Sequence, residues 1–268
     1  MKKILLILFL LTLFIACEEV IDVELDNAEQ QIVIEAVVSP DPLNNKVIIT
    51  KSTDFYNPGE YQRISNAEVT VIENNGESFV FTESSPGSYT NDTLIAKVGS
   101  QYSITVNVEG KTYSAISSLP SPLILDSIAV IGEKRPFQDE LDYEYHAYFQ
   151  DNPGVEDYAR FRLYINGIEK GGIFRYDDRL TDGRYIDFWR FFFEPDDDIK
   201  PGDIVTIEMM TIDKATFEYF DTLRRVLATS TGGPFGPSSP SNPTTNWDNG
   251  ALGYFSAYNI ESKTTAIE

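Results

Sequence analysis

Short segments rich in Val, Ile, Thr, Tyr and Phe recur along this chain, separated from one another by clusters of Gly, Pro, Asn and Asp. A run that alternates apolar and polar residues buries one face of a pleated strand, so this punctuation commits the chain to a mainly β fold. The clearest case is Gln101–Val108, where Tyr102, Ile104, Val106 and Val108 share one face and Gln101, Ser103, Thr105 and Asn107 the other. Glu109-Gly110 turns the chain into Lys111–Ile116, the second arm of a hairpin. Upstream, Ile32–Val38, Lys46–Thr50, Ala67–Glu73 and Ser78–Thr82 add strands, the last two joined through Asn74-Asn75-Gly76. Six short strands over residues 30–120 predict a β-sandwich domain.

Ser118-Leu119-Pro120-Ser121-Pro122 interrupts this pattern, because two prolines remove ladder donors and favour extended backbone, and it sets a boundary to a second domain at 121–268. Strands are expected there at Tyr143–Phe149, Tyr158–Ile165, Ile168–Tyr176, Arg184–Phe193, Asp203–Met210 and Ala251–Tyr258. One helix is predicted near 214–228, with Asp213 capping its start and Phe217, Phe220, Leu223 and Leu227 forming a stripe that packs on a sheet. The Gly-, Pro-, Ser- and Asn-rich stretch Gly232–Trp247 reads as a binding loop or a covering strap.

The N-terminus carries an address. Met1, Lys2 and Lys3 precede an apolar run from Ile4 to Ala16 that is too short to cross a bilayer and ends at Cys17, followed at once by Glu18 and Glu19. Phe14-Ile15-Ala16-Cys17 resembles a bacterial lipobox, with Phe14 where Leu is usual; the alternative is an ordinary secretory signal with an incidental cysteine. On the first reading, residues 1–16 are a lipoprotein signal peptide, Cys17 is the lipidation site and 17–29 is an acidic tether. Cys17 is the only cysteine, so no intramolecular disulfide competes for it. The formal charge is −21, and −23 once Lys2 and Lys3 are removed, which argues against nucleic acid and anionic membrane surfaces as partners. The expected membrane contact is the lipid itself.

Signals for catalysis are thin. His146 is the only histidine and no Gly-x-Ser-x-Gly elbow occurs, so an acyl-transfer triad or a zinc site of Cys and His lacks its residues. No catalytic residue, cofactor or metal site is assigned. Asp177, Asp178 and Asp182 around a glycine turn, and Asp196, Asp197 and Asp198 between prolines, read as solvated turn residues with calcium as the minority alternative. Trp189 reads as buried. Trp247, in a polar loop, is the candidate for contact with a partner or ligand.

In order along the chain, Cys17-Glu18-Glu19-Val20-Ile21-Asp22, Ile32-Val33-Ile34-Glu35-Ala36, Ser84-Ser85-Pro86-Gly87-Ser88-Tyr89, Gly110-Lys111-Thr112-Tyr113, Leu119-Pro120, Asp213-Lys214-Ala215-Thr216 and Gly250-Ala251-Leu252-Gly253-Tyr254-Phe255 resemble the Bacteroidetes lipoproteins of domain of unknown function 4249. That resemblance implies an outer-membrane lipoprotein, lipid-anchored and exposed at the cell surface. It also implies a non-enzymatic accessory role beside a TonB-dependent outer-membrane receptor in nutrient capture. A free-standing glycan-binding or adhesin lipoprotein is the alternative. The first domain is similar to transthyretin-like and Ig-like sandwiches through Gly87-Ser88-Tyr89 and Gly99-Ser100-Gln101-Tyr102, a likeness of fold alone. Asp92-Thr93-Leu94, Asp126-Ser127-Ile128 and Asp221-Thr222-Leu223 resemble Asp-Ser/Thr-apolar O-glycosylation sites of exported proteins in these bacteria, making Thr93, Ser127 and Thr222 candidates.

Overall fold

The computed structural model describes residues 30–53, 61–134, 141–191, 199–230 and 242–268. Cys17, the signal peptide and tether, and Asp196–Asp198 lie outside the described residues. Among the described residues the fold is mainly β with one α-helix, in two β-rich parts.

The first part contains β1 (Ile32–Val38), β2 (Lys46–Lys51), β3 (Glu68–Glu73), β4 (Ser78–Ser85), β5 (Ser88–Thr90), β6 (Gln101–Val108) and β7 (Lys111–Ser118). The second contains β8 (Ile124–Lys134), β9 (Leu141–Gln150), β10 (Tyr158–Ile165), β11 (Ile168–Glu169), β12 (Phe174–Asp177), β13 (Tyr185–Phe191) and β14 (Ile204–Ile212). Then follow α1 (Lys214–Ser230), β15 (Leu252–Ala257) and β16 (Asn259–Ala266).

The expected alternation in β6 holds: Tyr102, Ile104, Val106 and Val108 are all buried. Glu109 and Gly110 both adopt positive φ, the geometry that matches a tight turn to the twist of its strands. The first sheet runs β15-β1-β2-β5-β4-β3-β6-β7. The second part stacks β13-β9-β8 against a sheet ordered β11-β10-β14-β16, with β12 also on β10. Between these sheets Phe149 meets Tyr176 edge-on at 4.9 Å, and Phe161 lies against Trp189 and Phe191 at 5.8 and 5.4 Å. Trp189 is half-buried there.

The C-terminal segment crosses between the two parts. β15 pairs in parallel with β1, and Trp247, Ala251, Phe255 and Ala257 are buried in the first core although they follow residue 121. Without β15, β1 would end the sheet with a row of unpaired donors and acceptors. A parallel neighbour must arrive by a long connection, here the one that contains α1. Gly253 permits the approach: at φ 92° it sits opposite Ile34, where an added Cβ would lie 2.2 Å from the Ile34 carbonyl oxygen. After Tyr258 the chain enters β16, which pairs with β14 in the second part. Fifteen residues thus stitch two cores together, from Leu252 to Ala266. Asn259 adds a hydrogen bond from Nδ2 to the Pro120 carbonyl at 2.7 Å.

Three strands lacked a clear sequence signal. β8 shifts register between Leu125 and Ser127, which breaks its alternation. β16 is a polar edge strand, and β5 has only three residues. The predicted strand Ile168–Tyr176 is divided at Gly171 and Gly172 into β11 and β12. The helix begins as expected, with Asp213 Oδ1 accepting from Thr216 N at 2.9 Å. Its apolar stripe is corrected: Tyr219 and Phe220 are buried, Phe217 and Leu223 half-buried, and Leu227 is 52% exposed. Among the described residues, no helix is long and apolar enough to cross a membrane.

Candidate functional site

Four aspartates gather at one end of the second part because of strand register. Gln150 of β9 pairs with Tyr185 of β13, and Tyr158 of β10 pairs with Asp177 of β12. The loop 151–157 therefore leaves and re-enters the sheets beside the turn 178–184. Asp151 directly follows Gln150, Asp157 directly precedes Tyr158, Asp178 directly follows Asp177, and Asp182 stands in the turn. A backbone bond from Asp151 N to the Arg184 carbonyl at 3.1 Å ties the two loops, and Thr181 N to the Asp178 carbonyl at 2.7 Å shapes the turn.

Oxygen atoms of Asp151, Asp178 and Asp182 all lie within 4.8 Å of one another. Asp151 Oδ1 accepts from the Tyr176 hydroxyl at 3.1 Å and its Oδ2 from Gly183 N at 2.8 Å. Asp178 Oδ2 accepts from Asp157 N at 3.1 Å, and Asp182 Oδ1 from Gly154 N at 2.7 Å. Asp157 Oδ2 accepts from Asn152 N at 3.0 Å, and the buried Asn152 side-chain amide is a second donor to the same carboxylate. Asp151 is 0% and Asp157 1% exposed. Gly183, at φ 69°, packs so closely on Pro153 that a Cβ would lie 2.9 Å from the proline Cβ.

Among the described residues no Lys or Arg forms an ion pair with any of the four. Burial pushes the Asp157 carboxyl up to about 6; Asn152 N–H opposes the rise and the charge of Asp151 adds to it. Burial also raises Asp151, against its bonds from Gly183 and Tyr176, with Asp178 and Asp182 adding repulsion. Neighbouring Asp177 behaves oppositely, held low by the Arg179 guanidinium, whose nitrogens sit 2.7 and 3.0 Å from its oxygens. The expectation that Asp178 and Asp182 are solvated turn residues is corrected for Asp178, which is buried, and refined for Asp182, which is exposed but faces the group. Asp151 and Asp157 carried no sequence signal, because their convergence with the turn depends on strand pairing across the sandwich.

The Trp247 expectation is overturned. Its ring is 5% exposed, lies 6.3 Å from Phe255, and donates from Nε1 to the Ile34 carbonyl at 3.0 Å. A large ring in a polar loop needed a cover, and the first core supplies it. Thr93 and Ser127 are exposed. Thr222 is half-buried in α1; its hydroxyl donates back to the Glu218 and Tyr219 carbonyls and lies 3.0 Å from Thr244 Oγ1. Asp221, the acid of the same tripeptide, is bound by Arg175 and Arg225. His146 is buried in β9 with Nε2 3.1 Å from Glu144, a packed histidine.

Residues 18–264 match the family described as Domain of unknown function (DUF4249). No curated protein matches the chain.

Proposed function

We propose that this chain, which belongs to the family of domain of unknown function 4249, works as a lipid-anchored, non-enzymatic protein of the outer-membrane surface that assists a TonB-dependent transporter in nutrient capture. The observation that carries this reading is Cys17: the sole cysteine, at the end of an apolar run and at the head of an acidic segment. Diacylation there anchors stably, because each buried methylene contributes about 0.8 kcal/mol and two chains suffice. The first strand begins at Ile32. The intervening residues 18–31 reach at most roughly 50 Å at about 3.5 Å per residue, so the body stays close to the lipid surface. A body held there can meet an integral receptor without diffusing to it. The burial of Trp247 removes the feature that favoured a free-standing glycan binder.

Two measurements test the reading. Mass spectrometry of the mature N-terminal peptide is expected to give a diacylated Cys17, and Cys17→Ser to move the protein out of the membrane fraction. Cross-linking in intact cells is expected to recover a TonB-dependent receptor; an unmodified thiol, or repeated recovery of no receptor, counts against the proposal.

A further inference from the structure

We propose that Arg160, Tyr219, Tyr254 and Tyr258 form a binding site for a small hydroxylated carboxylate, of the sugar-acid class, where the two β-rich parts meet. Arg160 stands on the outward face of β10, beside Met210 of β14 and Arg175 of β12. α1 covers it from one side, with the guanidinium carbon 4.0 Å from the centre of the Phe220 ring. β15 approaches from the other: the Tyr254 ring lies 5.0 Å from Phe220 and 4.8 Å from Tyr219. Tyr258 directly follows β15, and Arg160 is among the charges that act on its hydroxyl and on those of Tyr219 and Tyr254.

The cations beside Arg160 are matched and Arg160 is not. Arg162, two residues along the same face, sits 2.8 Å from Glu208, and Arg175 is bound by Asp221. Among the described residues Arg160 makes neither an ion pair nor a hydrogen bond, although it is half-buried and its Nε is sealed from water. A guanidinium partly withdrawn from water with its donors unused is costly, and its planar fork fits a carboxylate through two parallel N–H bonds. The tyrosines add the second requirement. The rings of Tyr219 and Tyr254 pack on one another and on Phe220, so a ligand meets their hydroxyl ends rather than their flat faces. Those hydroxyls and that of Tyr258 have no hydrogen-bond partner among the described residues, yet none is sealed from water. Unpaired hydroxyls suit a ligand with hydroxyls of its own. Glu35, exposed on β1 opposite Tyr254, also acts on the hydroxyls of Tyr219 and Tyr254. Its charge leaves room for a single carboxylate but opposes a phosphate dianion. Binding here requires neither the lipid anchor nor a transporter.

The test uses the whole chain, purified in detergent, with sodium D-glucuronate and sodium D-gluconate as ring and open-chain probes. Isothermal titration is expected to give one site per chain with a Kd of about 10⁻³ M or tighter for at least one of them. Inorganic phosphate, which lacks the carboxylate and hydroxyls, and D-glucose, which lacks the charge, are expected to bind at least about tenfold more weakly. Arg160→Gln is expected to weaken probe binding at least about tenfold, and Tyr254→Phe, which keeps the ring, about three- to tenfold. Glu35→Gln, at an exposed position, is expected to narrow the gap between phosphate and the sugar acids, an effect that a purely structural role of these residues would not produce. Should Arg160→Gln fail to fold, Tyr254→Phe and Glu35→Gln still decide. The proposal is overturned if neither probe binds the wild-type chain up to about 10 mM. It is equally overturned if phosphate or glucose binds as tightly as the probes, or if Tyr254→Phe and Arg160→Gln bind them like wild type.

Discussion

Glu73 in the first part and Asp157 in the second are both carboxylates removed from water, and the protein treats them in opposite ways. Glu73 lies just beneath the surface at the end of β3, and its oxygens accept from Ser100 Oγ at 2.7 Å, Lys97 Nζ at 2.9 Å and Asn75 Nδ2 at 2.9 Å. Those bonds, Ser100 foremost, hold its carboxyl below the ordinary range. Asp157 has only the neutral donors of Asn152 and no cation, and burial holds its carboxyl high. Full satisfaction marks a group that serves the fold. Asp157 has no such cation, whereas Asp221, a further buried acid, is bound by Arg175 and Arg225.

Trp247→Ala gives the largest expected effect and sets the baseline for the first part. Loss of the buried ring and its bond to Ile34 should cost about 3–5 kcal/mol in urea unfolding. Glu73→Gln should cost about 1–3 kcal/mol, because it breaks a charge-assisted network whose cation is Lys97.

Asp157→Asn sharpens the contrast through its sign. It should change stability by less than about 1 kcal/mol, or raise it, since it removes one of several repelling charges. A loss of about 1–3 kcal/mol would make Asp157 an ordinary structural residue like Glu73.

The smallest effect is in pH. The Asp157 carboxyl is raised from 3.8 to about 6, so its contribution is complete below the unfolded value and is lost as pH rises through about 6. The Glu73 carboxyl is lowered from 4.5, so its contribution is present above that value and disappears as pH falls through its folded value. Hydrogen exchange followed separately at residues 150–157 and 100–102 should therefore show protection moving in opposite directions between acid and neutral pH. Parallel movement would end the comparison.

Much of the fold was legible because strands announce themselves locally. The faces of β6, the turn at Glu109-Gly110, and the start of α1 at Asp213 each follow from neighbours in the chain. Leu227 was misread because helical spacing identifies a stripe but not how far the sheet beneath it extends. β16 was missed because an edge strand with one wet face has little apolar alternation to display. Of the candidate site, Asp178 and Asp182 were visible as a turn cluster, while Asp151 and Asp157 were not.

The amino-acid sequence by itself determined the β character, the capped helix and the isolation of Cys17, since these depend on side-chain period, capping chemistry and composition within a few residues. Only the tertiary structure decided where Trp247 hides and which acids meet. Both outcomes rest on contacts between distant segments: the Nε1 bond of Trp247 reaches back to Ile34, and the pairings Gln150–Tyr185 and Tyr158–Asp177 bring four aspartates together. Such pairings arise from the simultaneous burial of several strand faces, which no local stretch of sequence encodes.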